Sequence, residues 1–477
     1  MSLRDFLKQV EAKEILHVKE ELSTKFEIPF FMKNFDSLGA ILQFEKVKDY
    51  RTKVVANVCG TRKRICAALK VDENGLYGRL TEAWRSPRKP RIVRDGAVKE
   101  VLESDLSKIP VLTHFERDAG PYITTAVIYA KSIDGDAENI SVHRLQILDR
   151  KHLAIRLVPR HLYKLWQIAK DVNKDLDVSI SIGVHPAVML AASSPVPFGV
   201  NEFDIANELV NGNLQLVECE HVDARAPADA ELILEGKISA RKEADEGPFV
   251  DVTGTYDIAR KQPVVDIVGI MHRKDFIYQG LLPSGAEHRL LMGLPHEVLI
   301  WEAVSKVVPK VCAVNLSVGG SGWLHAIIAI EKQLDGDGKN ALMAAFAAHP
   351  SLKHAMVVDP DIDVFNSSDV EWAVATRFQA GEDLVVINNA RGSTLDSSAD
   401  QETGLTSKMG LDATKPFTKP KEKFERAKIP VNKHVQTLAR KLLSLRGKIL
   451  CTPIYIGDNE RDREVGDSLV RREEGRN

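Results

Sequence analysis

Between about residues 105 and 285 the chain is built from short β-rich runs with few long helical periods, among them YITTAVIYA at 122–130, LQLVECE at 214–220 and VVDIVGIM at 264–271. Strands this dense must protect their edges, and closure into a barrel or a strongly curved sheet does so. The middle of the chain is therefore expected to be barrel-like. On either side, strands alternate with helical periods. VVANV at 54–58 belongs to a first small α/β unit, and the basic, proline-punctuated RSPRKPRIVRDG at 85–96 suits a surface connection out of it. From Glu287 to Val308 the apolar residues Leu290, Leu291, Leu294, Val298, Leu299 and Ala303 recur at helical spacing around Pro295, which predicts a connecting helix kinked or broken at the proline. Beyond it, WLHAIIAI, KNALMAAFAAH, HAMVVD, SDVEWAVATRF and EDLVVIN read as βα repeats, with Ser368 and Glu371 as a helix-opening capping box.

The expected fold class is thus mixed α/β and α+β, multidomain. A first α/β region spans 1–104, a barrel domain 105–285, a linking helix 286–308, a second α/β domain 309–445 and a charged, mobile tail 446–477.

Charge and cysteine usage exclude several classes. With 65 basic and 67 acidic residues and a net charge of -2, the chain has no overall attraction for nucleic acid or an anionic membrane. No apolar run approaches the roughly 18–20 residues that cross a bilayer. MSLRDFLKQVEAKE reads as a charged amphipathic helix with Leu3, Phe6, Leu7 and Val10 on one side, not as an export signal, so a soluble cytoplasmic protein is expected. The five cysteines (Cys59, Cys66, Cys219, Cys312, Cys451) are scattered and form no C-x-x-C pair, which favours buried reduced thiols over disulfides or a zinc ribbon.

Three familiar motifs fail on inspection. DPDIDVFNSSDVE from Asp359 spaces its acids like a calcium loop, but Val364 and Val370 stand where glycine and glutamate are needed, so it reads as a strand end with solvated carboxylates. VGGSGW at 318–323 lacks the context of a nucleotide loop and reads as a tight turn. Neither G-x-S-x-G nor H-E-x-x-H occurs.

What remains is polar chemistry set inside apolar, strand-like sequence: NISVHRLQILD at 139–149, LVPRHLYKLW at 157–166 and SSPVPFGVNEFD at 193–204. Polar groups placed there need partners. Asn139, His161 and Glu202 together make a mixed N/O set suited to Mn2+ or Mg2+. Each also has an ordinary role, as a strand start, a first helical turn and a helix N-terminus. Further on, Glu246 and Asp251 bracket a Gly-Pro turn that either aims two carboxylates into one cleft or leaves them solvated at the surface.

In order and spacing these segments resemble the UbiD-like decarboxylases. The resemblance runs from about residue 105 to 416. It rests on N-x-S-x-x-R at Asn139, Ser141 and Arg144, P-x-H at Pro159 and His161, the serine-to-glutamate run from Ser193 to Glu202, E-G-P-F-x-D from Glu246 to Asp251, and K-M-G-x-D-A-T around Lys408.

The resemblance implies a split β-barrel that binds prenylated FMN, followed by a linking helix and an α/β domain used for oligomerisation, hence a homodimer or homohexamer. It implies Mn2+ (or Mg2+) on the cofactor phosphate through Asn139, His161 and Glu202, with K+ (or Na+) nearby and Lys408 on the same phosphate. Cofactor contacts are implied along one strand for Asn139, Ile140, Ser141, Val142, His143 and Arg144, and elsewhere for Arg160, Ser193 and Ser194. In the implied chemistry Arg144 holds the substrate carboxylate through its planar fork and Glu246 orients Arg144. Asp251 then hands a proton to the carbon that CO2 has left, and the flavin is the electron sink.

The activity so implied is reversible, non-oxidative decarboxylation of an α,β-unsaturated or aromatic acid, with a flavin prenyltransferase supplying the cofactor. The chain looks most like archaeal and anaerobic bacterial members, whose substrates include trans-anhydromevalonate 5-phosphate. A hydroxybenzoate or furan carboxylate is the close alternative. An FMN-dependent oxidoreductase is the alternative of another class. Two features depart from the family pattern: aspartate at 251, where glutamate is common, and Arg160, where glutamine commonly precedes the histidine. GLLPSGAEHRLL is also longer than its counterpart, so His288 and Arg289 at a helix N-terminus either bind a second anionic group or face solvent.

Overall fold

Six antiparallel strands close on themselves in the middle of the chain. In sequence they are Tyr122–Lys131, Glu138–Ile147, His152–Ile155, Leu176–Ile182, Leu232–Glu246 and Arg260–His272. Leu232–Glu246 pairs with both Leu176–Ile182 and Arg260–His272, which joins the two ends of the sheet into a barrel. Val101–Glu103 adds a short outer strand to Arg260–His272. Closure removes the exposed edges that a sheet of this size would otherwise present.

These results come from a computed structural model, which describes residues 1–427 together with 434, 435, 437 and 438. The chain divides into two units, 1–418 and 419–477. The second contributes a short 3-10 turn, Lys421–Phe424. The tail expected at 446–477 and Cys451 lie outside the described residues.

Tyr122–Lys131 shows why this segment must be central. Nine of its ten residues are buried, so both faces are covered, and the sequence accordingly reads as an unbroken apolar run. Inside the barrel Ile123, Ala126 and Ile128 meet Leu145, Leu153 and Val265. On the outer face Val127 and Tyr129 meet the helices Pro186–Ala192 and Glu202–Leu209, and Tyr129 stacks on Phe203 with ring centroids 5.9 Å apart. Each helix opens on a local cap: Ala187 N donates to His185 Nδ1 (3.2 Å) and Phe203 N to Asn201 Oδ1 (2.8 Å).

The N-terminal helix Leu3–Gln9 forms as its pattern predicts, opened by a reciprocal Ser2–Asp5 capping box and burying Leu3, Phe6 and Leu7. The sheet beside it has the order Ile15–Leu22, Ile41–Val47, Lys53–Ala56, Ile277–Gly280. Its last strand comes from beyond the barrel. The basic connection at 85–96 is largely exposed and contains a short strand, Arg91–Val93, paired with Gln215–Glu218.

The linking helix is one continuous element, Ala286–Val304, and it is not broken at Pro295. Tertiary anchors offset the hydrogen bond a proline cannot make. Leu291, Leu294 and Val298 are buried in the first core, while the Glu297 carboxylate accepts from Leu316 N (2.9 Å), Tyr77 Oη (2.9 Å) and Arg62 Nη2 (2.5 Å). The following sheet runs Lys310–Leu316, His325–Glu331, His354–Val358, Leu405–Ala413, Leu384–Arg391, parallel in its interior and antiparallel at both edges. VGGSGW forms the expected turn.

Three sequence readings need correction. Asn366, not Ser368, caps the helix Ser367–Arg377, its Oδ1 accepting from Ser368 N at 3.1 Å. The buried thiols are Cys59 and Cys66, whereas Cys219 is only partly buried, packed against the first core, and Cys312 is exposed. The acids at 359–361 are not simply solvated. Arg377, fully buried, holds Asp359 at 2.8 Å and Asp361 at 2.7 Å. Arg377→Ala leaves Asp359 without its ion-pair partner, whereas Asp361 keeps Lys415 at 2.8 Å, and is expected to cost about 3–5 kcal/mol of stability, measured by urea denaturation.

Candidate active site

Arg144 sits on Glu138–Ile147 where the strand's side chains alternate, so Arg144 and Gln146 share one face while Asn139, Ser141 and His143 share the other. Three carboxylates converge on its guanidinium. Nε and Nη2 donate to the two oxygens of Glu246 (2.8 and 3.0 Å), Nη2 also to Asp257 Oδ2 (3.0 Å), and Nη1 to Asp251 Oδ2 (3.2 Å). The guanidinium carbon lies 5.1 Å from the centre of the Phe249 ring. Burial works against its charge, but the three acids outweigh burial and hold Arg144 above its ordinary value.

The local sequence explains this convergence. Glu246 ends the long barrel strand and is fully buried. Gly247, at φ +95°, turns the chain, and its N–H is held by Tyr122 Oη (3.0 Å) and Gln146 Oε1 (3.1 Å). Phe249–Val250 then pairs antiparallel with Tyr256–Asp257, so the hairpin carries Asp251 out and brings Asp257 back. The Glu246 and Asp251 of the sequence reading share one arginine and are not two free acids on a surface turn.

At the start of the same strand, Glu202 is buried, accepting from Ile140 N (2.7 Å) and Asn139 Nδ2 (3.0 Å). Burial pushes its carboxyl up to about 8, against those hydrogen bonds. No cation among the described residues pairs with it. Burial also takes the His143 imidazole down to about 4, so the neutral ring donates from Nδ1 to Arg156 O (3.1 Å) and accepts at Nε2 from Ser141 Oγ (2.9 Å). The single Ser141 proton is then spent, and the Asn139 carbonyl oxygen, 3.0 Å from Ser141 Oγ, keeps a free lone pair. A buried, cation-free carboxylate beside a free amide oxygen fits a hard divalent ion. Among the described residues no three His, Cys, Asp or Glu side chains gather as a metal set, so the amide oxygen is needed.

His161 heads its own helix, His161–Asp171, with its ring edge-on to Phe198 at 5.5 Å, and hydrogen-bonds to neither Asn139 nor Glu202. Arg160 precedes it, exposed. The Ser193 and Ser194 hydroxyls turn back to Met189 O (2.9 Å) and Leu190 O (3.0 Å), closing their own helix. Lys408 lies in the C-terminal sheet, where its ammonium donates to Pro350 O (2.7 Å) and Leu352 O (2.6 Å), and burial lowers it to about 8. His288 accepts from Ser284 N at 3.0 Å, and burial lowers its ring against the pull of nearby Asp251. Arg289 is engaged by Asp36 at 3.3 Å.

Family models decide the identity. Three match in sequence: the N-terminal domain of 3-octaprenyl-4-hydroxybenzoate carboxy-lyase at 8–84, its Rift-related domain at 91–286 and its C-terminal domain at 289–413. The chain belongs to the UbiD family. It is therefore a UbiD-type carboxy-lyase. An anhydromevalonate phosphate decarboxylase of Methanothermobacter thermautotrophicus is 42% identical over 424 residues, 89% of this chain and 99% of that protein. The UbiD-class enzyme HmfF from Pelotomaculum thermopropionicum, solved with FMN, superposes with a TM-score of 0.88 at 41% identity, covering 90% of this chain and 98% of that one. An evolved dimeric form of the same enzyme with prFMN gives 0.84 at 38% identity, covering 91% and 99%.

Sequence reading missed two acids at the UbiD site. Asp257 is the third partner of Arg144, and only the hairpin register reveals it. Asp118, partly buried, accepts from the N–H groups of Phe115 (2.9 Å) and His114 (3.2 Å), and burial raises it to about 6 close to Arg144.

Proposed function

We propose that this protein releases CO2 from an α,β-unsaturated acid using prenylated FMN, with trans-anhydromevalonate 5-phosphate as its substrate. The single observation that carries the reading is a buried guanidinium with one end pinned by Glu246 and the other, Nη1, on Asp251. The name carried by the Methanothermobacter relative supports the substrate, and the flavins held by the two HmfF structures support the cofactor.

In this proposal Asn139, His161 and Glu202 hold Mn2+ (or Mg2+), and Lys408 offers its ammonium to the cofactor phosphate, with K+ close by. The bound flavin supplies the electron sink. Arg144 receives the substrate carboxylate at Nη1, and Asp251 takes up a proton from solvent and delivers it to the carbon left behind. The Phe249 ring lies against the Arg144 guanidinium, 5.1 Å from its carbon to the ring centre. His288, beside Asp251, faces the same cleft as a substrate-binding group, whereas Arg289 is committed to Asp36. A flavin prenyltransferase supplies the cofactor. The chain assembles as a homodimer or homohexamer through its C-terminal α/β domain, and the dimeric HmfF structure supports self-association. No helix among the described residues is long and apolar enough to cross a membrane.

CO2 release is measured from trans-anhydromevalonate 5-phosphate, hydroxybenzoates and furan carboxylates, using protein coexpressed with a flavin prenyltransferase and protein made without one. Release from the phosphorylated acid alone, dependent on prenylation, is the expected result. Release from an aromatic acid instead overturns the substrate, and turnover with unmodified FMN overturns the mechanism. Metal content gives an independent readout: wild-type protein retains Mn2+ through gel filtration, and Glu202→Gln loses it.

A further inference from the structure

The Arg144 guanidinium has five N–H bonds, and the structure accounts for four of them. Two go to Glu246, one to Asp251 and one, from Nη2, to Asp257. Both hydrogens of Nη2 are therefore committed, and Nη1 keeps the one that has no acceptor among the described residues. The outer Nη1/Nη2 fork, which a carboxylate would ordinarily grip with both oxygens, is occupied at its Nη2 end.

Asp257 is itself firmly held. Its Oδ1 accepts from Arg260 Nη1, and Arg156 Nε lies 3.4 Å from the same Oδ2 that receives Arg144. Three carboxylates (Glu246, Asp251, Asp257) thus face three guanidinium groups (Arg144, Arg156, Arg260). Asp251 differs from the other two acids. It meets a single N–H of Arg144, is the most exposed of the three at 24%, and has no other cation against it. Burial opposes the charge on Asp257, yet Arg260, Arg144 and Arg156 keep its carboxyl below the usual range.

We infer that Asp257 is a positioning residue: by fixing Nη2 of Arg144 it restricts the substrate carboxylate to Nη1, whose one uncommitted N–H lies on the nitrogen that also holds Asp251. The substrate carboxylate and Asp251 then meet at one nitrogen, which sets the reacting carbon beside the acid that delivers the proton. A carboxylate free to grip the whole fork would bind more tightly but sit displaced along the guanidinium edge, carrying its reacting carbon away from Asp251. This inference rests on the proposed decarboxylation and adds a specificity device to it.

The test uses holoenzyme carrying Asp257→Ala, Asp257→Asn and Asp257→Glu. It records kcat and KM for CO2 release, and the inhibition constant of the saturated counterpart of the substrate, which binds but does not decarboxylate. In Asp257→Ala, kcat falls about 10- to 100-fold through misplacement of the reacting carbon. The saturated acid in that variant binds about three- to tenfold more tightly through the completed fork. Asp257→Asn, which keeps an acceptor for Nη2, shifts both in the same directions by less, and Asp257→Glu restores kcat to within about fivefold of wild type. Should Asp257→Ala fail to fold, Arg260→Gln loosens the same carboxylate from behind and gives the same split in smaller measure.

Parallel loss of kcat and of inhibitor binding, or values within twofold of wild type for both in the alanine and asparagine variants, overturns the inference. If wild-type holoenzyme releases no CO2, the proposed function fails; if wild type turns over and the variants match it, only the role of Asp257 fails.

Discussion

Arg144→Lys is expected to lower kcat/KM for CO2 release by on the order of 10²–10³ while the protein stays folded and keeps its flavin. Lysine restores a positive charge, but as a single point on a flexible stem. It cannot span Glu246 with two parallel N–H bonds and still offer a third and a fourth to Asp257 and Asp251. The loss therefore falls on geometry. Arg144→Ala behaves differently. Glu246 is fully buried, and without its cation it must carry an unpaired charge or take up a proton. Unfolding in urea should show a deficit of about 3–5 kcal/mol, larger than for any substitution at the more exposed Asp251. A stability unchanged by Arg144→Ala would mean that the three acids are balanced without it.

Asp251→Asn is expected to lower kcat by about 10²–10⁴-fold with little effect on stability, because it removes a proton carrier without changing shape. Asp251 accepts from Val252 N at 2.6 Å and from Arg144 at 3.2 Å, and an asparagine oxygen can keep one of these contacts. The discriminating readout is isotopic. In D2O the wild-type enzyme should place deuterium on the carbon that CO2 has left, and should wash deuterium into product supplied on its own. Asp251→Asn should lose the wash-in as fully as it loses turnover. Retention of wash-in with loss of turnover would move the proton-handling role to another acid, and Asp118, raised to about 6 beside the cluster, is the first to test.

Much of this was legible before any coordinates. Tyr122–Lys131 is apolar at almost every position because both of its faces are covered, and that pattern announces a central strand. Asn139, His161 and Glu202 stand out because polar groups in apolar, strand-like sequence need partners, Glu246 and Asp251 because they bracket a Gly-Pro turn, and Arg144 only through the family resemblance; the structure joins Asn139 to Glu202 across 63 residues and Arg144 to Asp251 across 107. The misreadings have physical causes. Pro295 weakens the helix locally, but the donors that anchor Glu297 are Leu316 N, 19 residues on, and Arg62 and Tyr77, 235 and 220 residues back, so the anchoring is invisible in a short window around the proline. At 366–368 three consecutive residues can each cap a helix, and only the direction from which the chain enters selects Asn366. Asp257, in TYDIAR, belongs to no motif and carries no signal of its own in the sequence. Its role depends on a two-residue hairpin register that pairs it with Phe249.

The strand Ile277–Gly280 carries a consequence for how the protein is made. It pairs in parallel with Lys53–Ala56, yet it follows that strand by about 220 residues. At roughly 5–20 residues per second of synthesis, the first sheet waits on the order of ten to forty seconds for its last member. Throughout that interval Val54, Val55 and Ala56 offer an unpaired edge while the whole barrel is still emerging from the ribosome. Pauses in translation placed before residue 277 would prolong that exposure, whereas pauses placed after residue 280 would not. The position of a slow codon, a property absent from the finished protein, therefore bears directly on how much of it reaches the folded state.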